Sequence, residues 1–141
     1  MSLYVVDASV AAKWFFDEVH TAQARRLLDP SHSLSAPEFL LVEVDSLLCK
    51  RAAREAITAD EARRIRKALR RMPLRTHALP PLEDLAFEVA LRTTCSIYDA
   101  LYVALAALTR QPLVTADRRL LGKLATGLFA RHALWIEDLP A

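Results

Sequence analysis

The chain has 141 residues, 53% of them hydrophobic and 26% charged, with two glycines and two cysteines. That length fits one domain whose core needs no staples. Cys49 and Cys95, far apart and outside any Cys-x-x-Cys pair, support neither a disulfide scaffold nor a zinc knuckle. Nineteen basic against seventeen acidic residues leave a net charge of +2; Lys50, Asp99 and Arg110 break the apolar runs below the roughly 18 to 20 residues of a membrane span, and no signal peptide is visible, so a compact, helix-rich, cytoplasmic protein is expected.

Leu3 to Val6 is a short apolar run with strand character, followed by helical periodicity from Ser9 to about Phe16. A second helix runs from Thr21 to Leu28 and stops at Asp29-Pro30, where proline disfavours continuation. Leu34 to Ala36 reads as a strand, and Pro37 suits the first turn of a long helix from Glu38 to about Arg54. Thr58-Ala59-Asp60-Glu61 has capping-box spacing and opens a basic helix that Met72-Pro73 closes. Leu74 to Leu79 is a predicted strand, Pro80-Pro81 starts a helix to about Thr93, and Ser96 opens another to about Thr109. Gln111-Pro112 ends it, Leu113 to Thr115 is a strand, Asp117 to about Ala125 a helix, and a last strand includes Leu134 to Ile136. Strands alternating with helices predict one α/β domain over residues 1–141, with a mainly parallel sheet and helices on both faces.

Four stretches set an acidic residue at a strand end or inside an apolar helix: Val5-Val6-Asp7-Ala8-Ser9, Pro37-Glu38 running on to Glu43, Tyr98-Asp99-Ala100-Leu101, and Leu113-Val114-Thr115-Ala116-Asp117. A carboxylate against apolar neighbours is unfavourable without compensation, and several in one pocket repel each other unless a divalent cation lies between them. Ligands of open α/β sheets bind beyond the carboxyl ends of the strands where strand order reverses, the edge that Asp7 and Asp117 both reach. Helix capping is the simpler account of each residue alone: Asp7 and Asp117 precede helices, and Ser96 to Asp99 has capping-box spacing. Asp99 differs from Glu61 because the helix behind it is apolar on every side from Ala100 to Leu108, which turns its carboxylate into the protein or a cleft. Glu43 is also set among apolar residues; Asp45, two positions on, points roughly 200° away, so only one of the pair faces a given site, and the helical wheel does not choose.

Between Arg63 and Arg75 lie seven basic residues and no acidic one. Arg63, Arg66, Lys67 and Arg70 at helical spacing form a stripe that is either a solvated face or a phosphate-contacting surface. Lys13, Arg118 and Arg119 sit nearer the acidic motifs in sequence and are either further candidates for phosphate contact or part of solvent-facing helices. His20, His32, His77 and His132 are scattered, which leaves metal-independent cleavage without an acid–base pair. Neither Gly-x-Ser-x-Gly nor a Walker-type glycine loop is present. Trp14, Phe15, Phe16 and Trp135 are read as core or dimer contacts.

Taken in order, Val-Val-Asp7-Ala-Ser9-Val, Pro37 through Glu43-Val44, Ser96-Ile-Tyr-Asp99-Ala-Leu-Tyr and Val114-Thr115-Ala-Asp117-Arg-Arg-Leu resemble the motifs of PIN-domain ribonucleases, more narrowly the VapC-type toxins of toxin-antitoxin pairs. The resemblance implies a three-layer α/β/α domain with about five strands, and an acidic quartet of Asp7, Glu43, Asp99 and Asp117 around Mg²⁺ or Mn²⁺, with Ser9 and Thr115 beside it. It also implies a metal-dependent endoribonuclease, a homodimer, and a small antitoxin as partner. One departure is Ser46, where members of the family often carry Asn; any contact from that position to the metal site would have to change or pass through water. The competing expectation is a PIN-like RNA-binding or protein-interaction module without catalysis, its carboxylates serving only as caps.

Overall fold

The computed structural model describes residues 1–140. In chain order its elements are β1 (Ser2–Val6), α1 (Ala8–Ala12), α2 (Thr21–Arg26), β2 (His32–Pro37), α3 (Phe39–Ala53), α4 (Ala59–Arg71), β3 (Leu74–His77), α5 (Pro80–Thr93), α6 (Ile97–Thr109), β4 (Leu113–Thr115), α7 (Arg118–Leu124) and β5 (Ala133–Trp135), with short 3₁₀ turns on either side of β5. The five strands form one sheet in the order β3-β2-β1-β4-β5, every neighbouring pair parallel. Parallel strands demand crossovers, and helices fill them and flank the sheet as expected of an α/β/α fold. The strand order reverses between β1 and β4, which opens a crevice beyond their carboxyl ends.

Burial follows the hydrophobic pattern. Val5 and Val6 of β1, Leu113 and Val114 of β4, and the whole of α6 from Ala100 to Ala106 are buried in one continuous core. α6 packs against β1, β2 and β4 and is covered by α5, which explains why its sequence is apolar on all sides. α3 buries only Leu40, Val44 and Leu48 and is therefore a surface helix with one inward face. Among the described residues no helix is long and apolar enough to cross a membrane.

Several boundaries differ from the sequence reading for local reasons. α1 ends at Ala12 rather than near Phe16: the amides of Lys13, Trp14 and Phe15 turn back on residues three positions earlier, and the Trp14 indole donates to the Ala24 carbonyl at 2.9 Å, which pins the turn to α2. Pro37 closes β2 instead of opening α3, since its register partner is His77 and the next amide, Glu38, donates to the His77 carbonyl at 2.8 Å. β2 begins two residues before Leu34 because Ser2 and Leu3 of β1 pair with His32 and Ser33. Ile136 leaves the last strand for a 3₁₀ turn. With so few glycines, the left-handed residues that end α5 and α6 are Thr94 and Arg110, at φ 61° and 56°; such non-glycine caps cost on the order of 1 kcal/mol each.

Candidate active site

β1 carries Asp7 to the reversal point of the sheet, and β4 ends beside it at Thr115. Asp7 is buried, with 5% of its surface exposed. Its two carboxylate oxygens are shared between hydroxyls: Ser9 Oγ donates to Oδ1 and Thr115 Oγ1 to Oδ2, each at 2.5 Å. Those hydroxyls also accept, Ser9 Oγ from the Ala116 amide at 3.2 Å and Thr115 Oγ1 from the Asp117 amide at 3.0 Å. Ser9 and Thr115 thus stitch Asp7 to the segment that carries Asp117. Burial raises the Asp7 carboxyl from its ordinary 3.8 to about 6, against the pull of Ser9, Thr115 and the Val10 amide, with the Asp117 charge adding to the rise.

Asp7 caps α1 through Val10, at 3.1 Å, and Asp117 caps α7 through Arg119 and Leu120, at 2.9 and 3.3 Å. Capping and cleft-lining are therefore compatible: one oxygen holds the helix end while the group remains at the crevice. Asp99 is different. Ser96 Oγ accepts from the Asp99 amide at 3.0 Å, but the reciprocal bond from the Ser96 amide to the Asp99 side chain is missing, whereas Thr58 and Glu61 make both halves of a capping box on α4. Its carboxylate is left to the cleft. Burial first, and then the Asp117 charge, lift the Asp99 pKa; Ser96, Lys123 and Arg119 pull the other way.

Glu43 reaches the same place from α3. Tyr102 of α6, almost wholly buried, donates its hydroxyl to Glu43 Oε1 at 2.5 Å. The Glu43 carboxyl is raised by burial, lowered by Tyr102, and raised again by Asp99 and Asp7. Burial and the Glu43 charge hold the Tyr102 phenol far above its usual pKa, so it stays a donor. The helical wheel could not choose between Glu43 and Asp45; the fold turns Asp45 the other way, where Arg66 and Arg70 of α4 hold it at 3.1 and 3.0 Å.

Asp7, Glu43, Asp99 and Asp117 line one cleft of about 720 Å³, with Ser9 and Ser46 in its wall. Among the described residues, no three His, Cys, Asp or Glu side chains are set to hold an ion between them. An all-oxygen donor set of this kind fits a hard cation bound through one or two carboxylates with water completing its shell, the habit of Mg²⁺, and fits poorly a cation needing imidazole or thiolate.

The basic residues are distributed in a way the sequence did not disclose. Arg63 pairs with Asp60 at 2.8 Å, Arg66 and Arg70 clamp Asp45, Lys67 stays exposed, and none of the four lines the cleft. Lys13 pairs with Glu18 at 3.1 Å, and Arg118 lies over the Trp135 ring, 4.0 Å from its centroid. Arg119 and Lys123 act on Asp99 from α7. Lys50 and Arg51 of α3 and Arg54, its C-cap, line the cleft and were missed; their spacing from Glu43 follows one helical face through Leu47, a signal visible in the sequence had that face been known to open on a site. Trp14 and Trp135 are buried, Phe15 and Phe16 partly so, and no histidine lines the cleft.

A family model described as the PIN domain matches residues 4–125. The chain is similar to "Ribonuclease VapC3" of Pyrobaculum aerophilum, 34% identical over 121 residues that cover 84% of this chain and 92% of that protein. Among solved structures it resembles the crystal structure of PAE2754 from the same organism, with a TM-score of 0.74 and 25% identity over 96% of this chain and 85% of the other. A "Toxin-antitoxin complex from Klebsiella pneumoniae" shares the fold, with a TM-score of 0.63 and 15% identity over 99% of this chain and all of that one.

Proposed function

The chain belongs to the PIN-domain family, within its VapC branch, and from that premise we propose that it is a metal-dependent endoribonuclease, the toxin of a toxin-antitoxin pair acting in the cytoplasm. The observation that carries the reading is the meeting of four carboxylates from four separate parts of the chain in one cleft, with Asp7, Glu43 and Asp99 all raised by burial first, then Asp7 and Asp99 by the Asp117 charge and Glu43 by those of Asp99 and Asp7. Capping accounts for Asp7 and Asp117, which follow strands, but not for the carboxylates of Glu43 and Asp99, which cap no helix and still reach the same cleft.

Asp7, Asp99 and Asp117 are the proposed holders of Mg²⁺ or Mn²⁺, one or two of them directly and the rest through its waters, with Glu43 binding directly, binding through water, or positioning the attacking water. A bound ion of this type supplies a more acidic water and neutralises charge on the scissile phosphate. The protein's own part is largely orientation. Ser9 and Thr115 fix both oxygens of Asp7, and Tyr102 fixes Glu43, so the carboxylates are set before substrate arrives. Glu43, held by Tyr102 and with its pKa raised chiefly by burial, is the group proposed to take up a proton from the attacking water. Arg119, whose charge acts on Asp99, is a candidate phosphate contact, and Lys13 and Arg118 remain candidates only by releasing Glu18 and the Trp135 ring. Of Arg63, Arg66, Lys67 and Arg70, three are engaged by Asp60 and Asp45, and Lys67, which makes no ion pair among the described residues, is left for contact with RNA outside the cleft.

Partners follow the same premise: an RNA substrate, a small antitoxin, as the name of the Klebsiella complex has it for that protein, and a second copy of the chain. Phe87 and Leu91, exposed one turn apart on α5, offer apolar surface for such a dimer. The reading is tested by incubating purified protein with total cellular RNA in Mg²⁺ or Mn²⁺ and sequencing 5′-phosphate ends. Discrete cuts abolished by EDTA and by Asp7→Asn are expected. Identical patterns from wild type and Asp7→Asn would overturn it.

A further inference from the structure

The four carboxylates at the acidic centre carry a formal charge of −4 when ionised, and a single divalent ion cancels half of it. An RNA strand, itself a polyanion, therefore meets net repulsion unless cations line its approach. On the α3 side three basic residues border the cleft, and they are not equivalent. Arg51 is already committed: it pairs with Glu18 at 3.1 Å and lies over the Phe16 ring at 3.9 Å. Lys50 and Arg54 are exposed, line the cleft, and make no ion pair among the described residues. Glu18 is taken up by Lys13 and Arg51 together, and Glu55, next to Arg54 in the chain, is exposed and makes no ion pair among the described residues.

Position along the helix gives the second part. Glu43, Leu47, Lys50 and Arg54 follow one face of α3, all of them on the cleft. At 1.5 Å per residue, Lys50 stands roughly 10 Å and Arg54 roughly 16 Å beyond Glu43 along the axis. Both lie near or beyond a Debye length of about 8 Å from the acidic centre at physiological salt. The cations are therefore too far away to be spent on the quartet, and they remain available to a ligand that runs past it.

Resting on the ribonuclease reading, we propose that Lys50 and Arg54 form a phosphate-binding lip that holds the backbone of single-stranded RNA on one side of the scissile bond, laying the strand along the exposed face of α3. Arg51 serves as the wall behind them, pinned by Glu18 and Phe16. On this geometry the strand lies over the C-terminal end of α3 and runs past Glu43 to the acidic centre.

The test is equilibrium binding of a fluorescein-labelled, mixed-sequence single-stranded RNA to the full-length protein in EDTA, by anisotropy, across a range of potassium chloride concentrations. Each phosphate contact on a single strand contributes about 0.7 to the slope of log K against log salt, so the double variant Lys50→Ala/Arg54→Ala should flatten the slope by about 1.4. Lys50→Arg/Arg54→Lys should restore it, which loss of helix structure alone would not allow. Arg131→Ala removes an exposed cation from a separate surface depression beside Arg110 and should leave the slope unchanged. A double variant that melts like wild type yet keeps the wild-type slope overturns the proposal, and if it has instead lost affinity for a polyglutamate peptide, the lip belongs to an acidic protein segment. Wild-type protein that neither binds nor cuts RNA defeats the ribonuclease reading itself, a different result from normal cutting with an unchanged slope.

Discussion

Replacing Asp7 by asparagine should make the metal-free protein more stable, although it removes the residue placed at the centre of the site. At pH 7 the Asp7 carboxylate is ionised in the unfolded chain, with its ordinary pKa of 3.8, and also in the fold, where burial has lifted it to about 6. A folded carboxyl that holds its proton more tightly than the unfolded one contributes stability below the unfolded pKa and loses it as pH climbs through the window from 3.8 to about 6. The gap of about 2 units corresponds to about 3 kcal/mol at pH 7. Asparagine has nearly the same shape, caps a helix as well as aspartate does, and presents groups that the Ser9 and Thr115 hydroxyls can turn to meet. Most of the 3 kcal/mol should therefore be recovered, a rise in Tm of roughly 6–12 °C for a domain of this size. Differential scanning calorimetry in EDTA from pH 3.5 to pH 7.5 reads it directly: the variant melts higher at neutral pH, and the two curves converge toward the acid end. Added Mg²⁺ should then raise the wild-type Tm and not the variant's. A lower Tm for Asp7→Asn at pH 7, or a difference independent of pH, would refute the electrostatic account and leave Asp7 as a cap.

Tyr102→Phe keeps the ring but removes the donor to Glu43 Oε1, a bond that favours the anion; the Glu43 carboxyl should titrate higher still, followed by carbon-13 NMR of the side-chain carboxyl in EDTA, with an unmoved titration counting against the positioning role. Thr58→Ala breaks the capping box of α4 and should cost about 0.5–2 kcal/mol in urea denaturation, while RNA cleavage continues at the wild-type rate because none of α4 lines the cleft. Leu105→Ala opens the buried centre of α6 and should cost about 2–5 kcal/mol on the same assay; a loss well under 1 kcal/mol would mean that this helix is not the core element its burial indicates.

The alternation of strands and helices, the apolar character of α6 and the capping box at Thr58 are properties of short segments, and each appears in the structure where the sequence had put it. The acidic motifs were legible for a related reason: a carboxylate beside apolar neighbours is costly wherever it lands, so its presence marks a place where something compensates it. What failed was anything set by a neighbour from elsewhere in the chain. Pro37 suits a helix start on local grounds, but pairing with His77 keeps it in β2. Arg66 and Arg70 read as free cations until α3 supplies Asp45, and Lys50 and Arg54 read as an ordinary solvated helix end until α6 and the ends of β1 and β4 turn that face of α3 into the side of a cleft. Segment chemistry and periodicity are fixed by residues a few positions apart, so the sequence by itself determined the elements, the α/β class and the acidic candidates. Which charges are neutralised, which carboxylates are desolvated and which faces open on a common space depend on contacts between residues up to about a hundred positions apart, such as Thr115 with Asp7, and only the tertiary structure decides those.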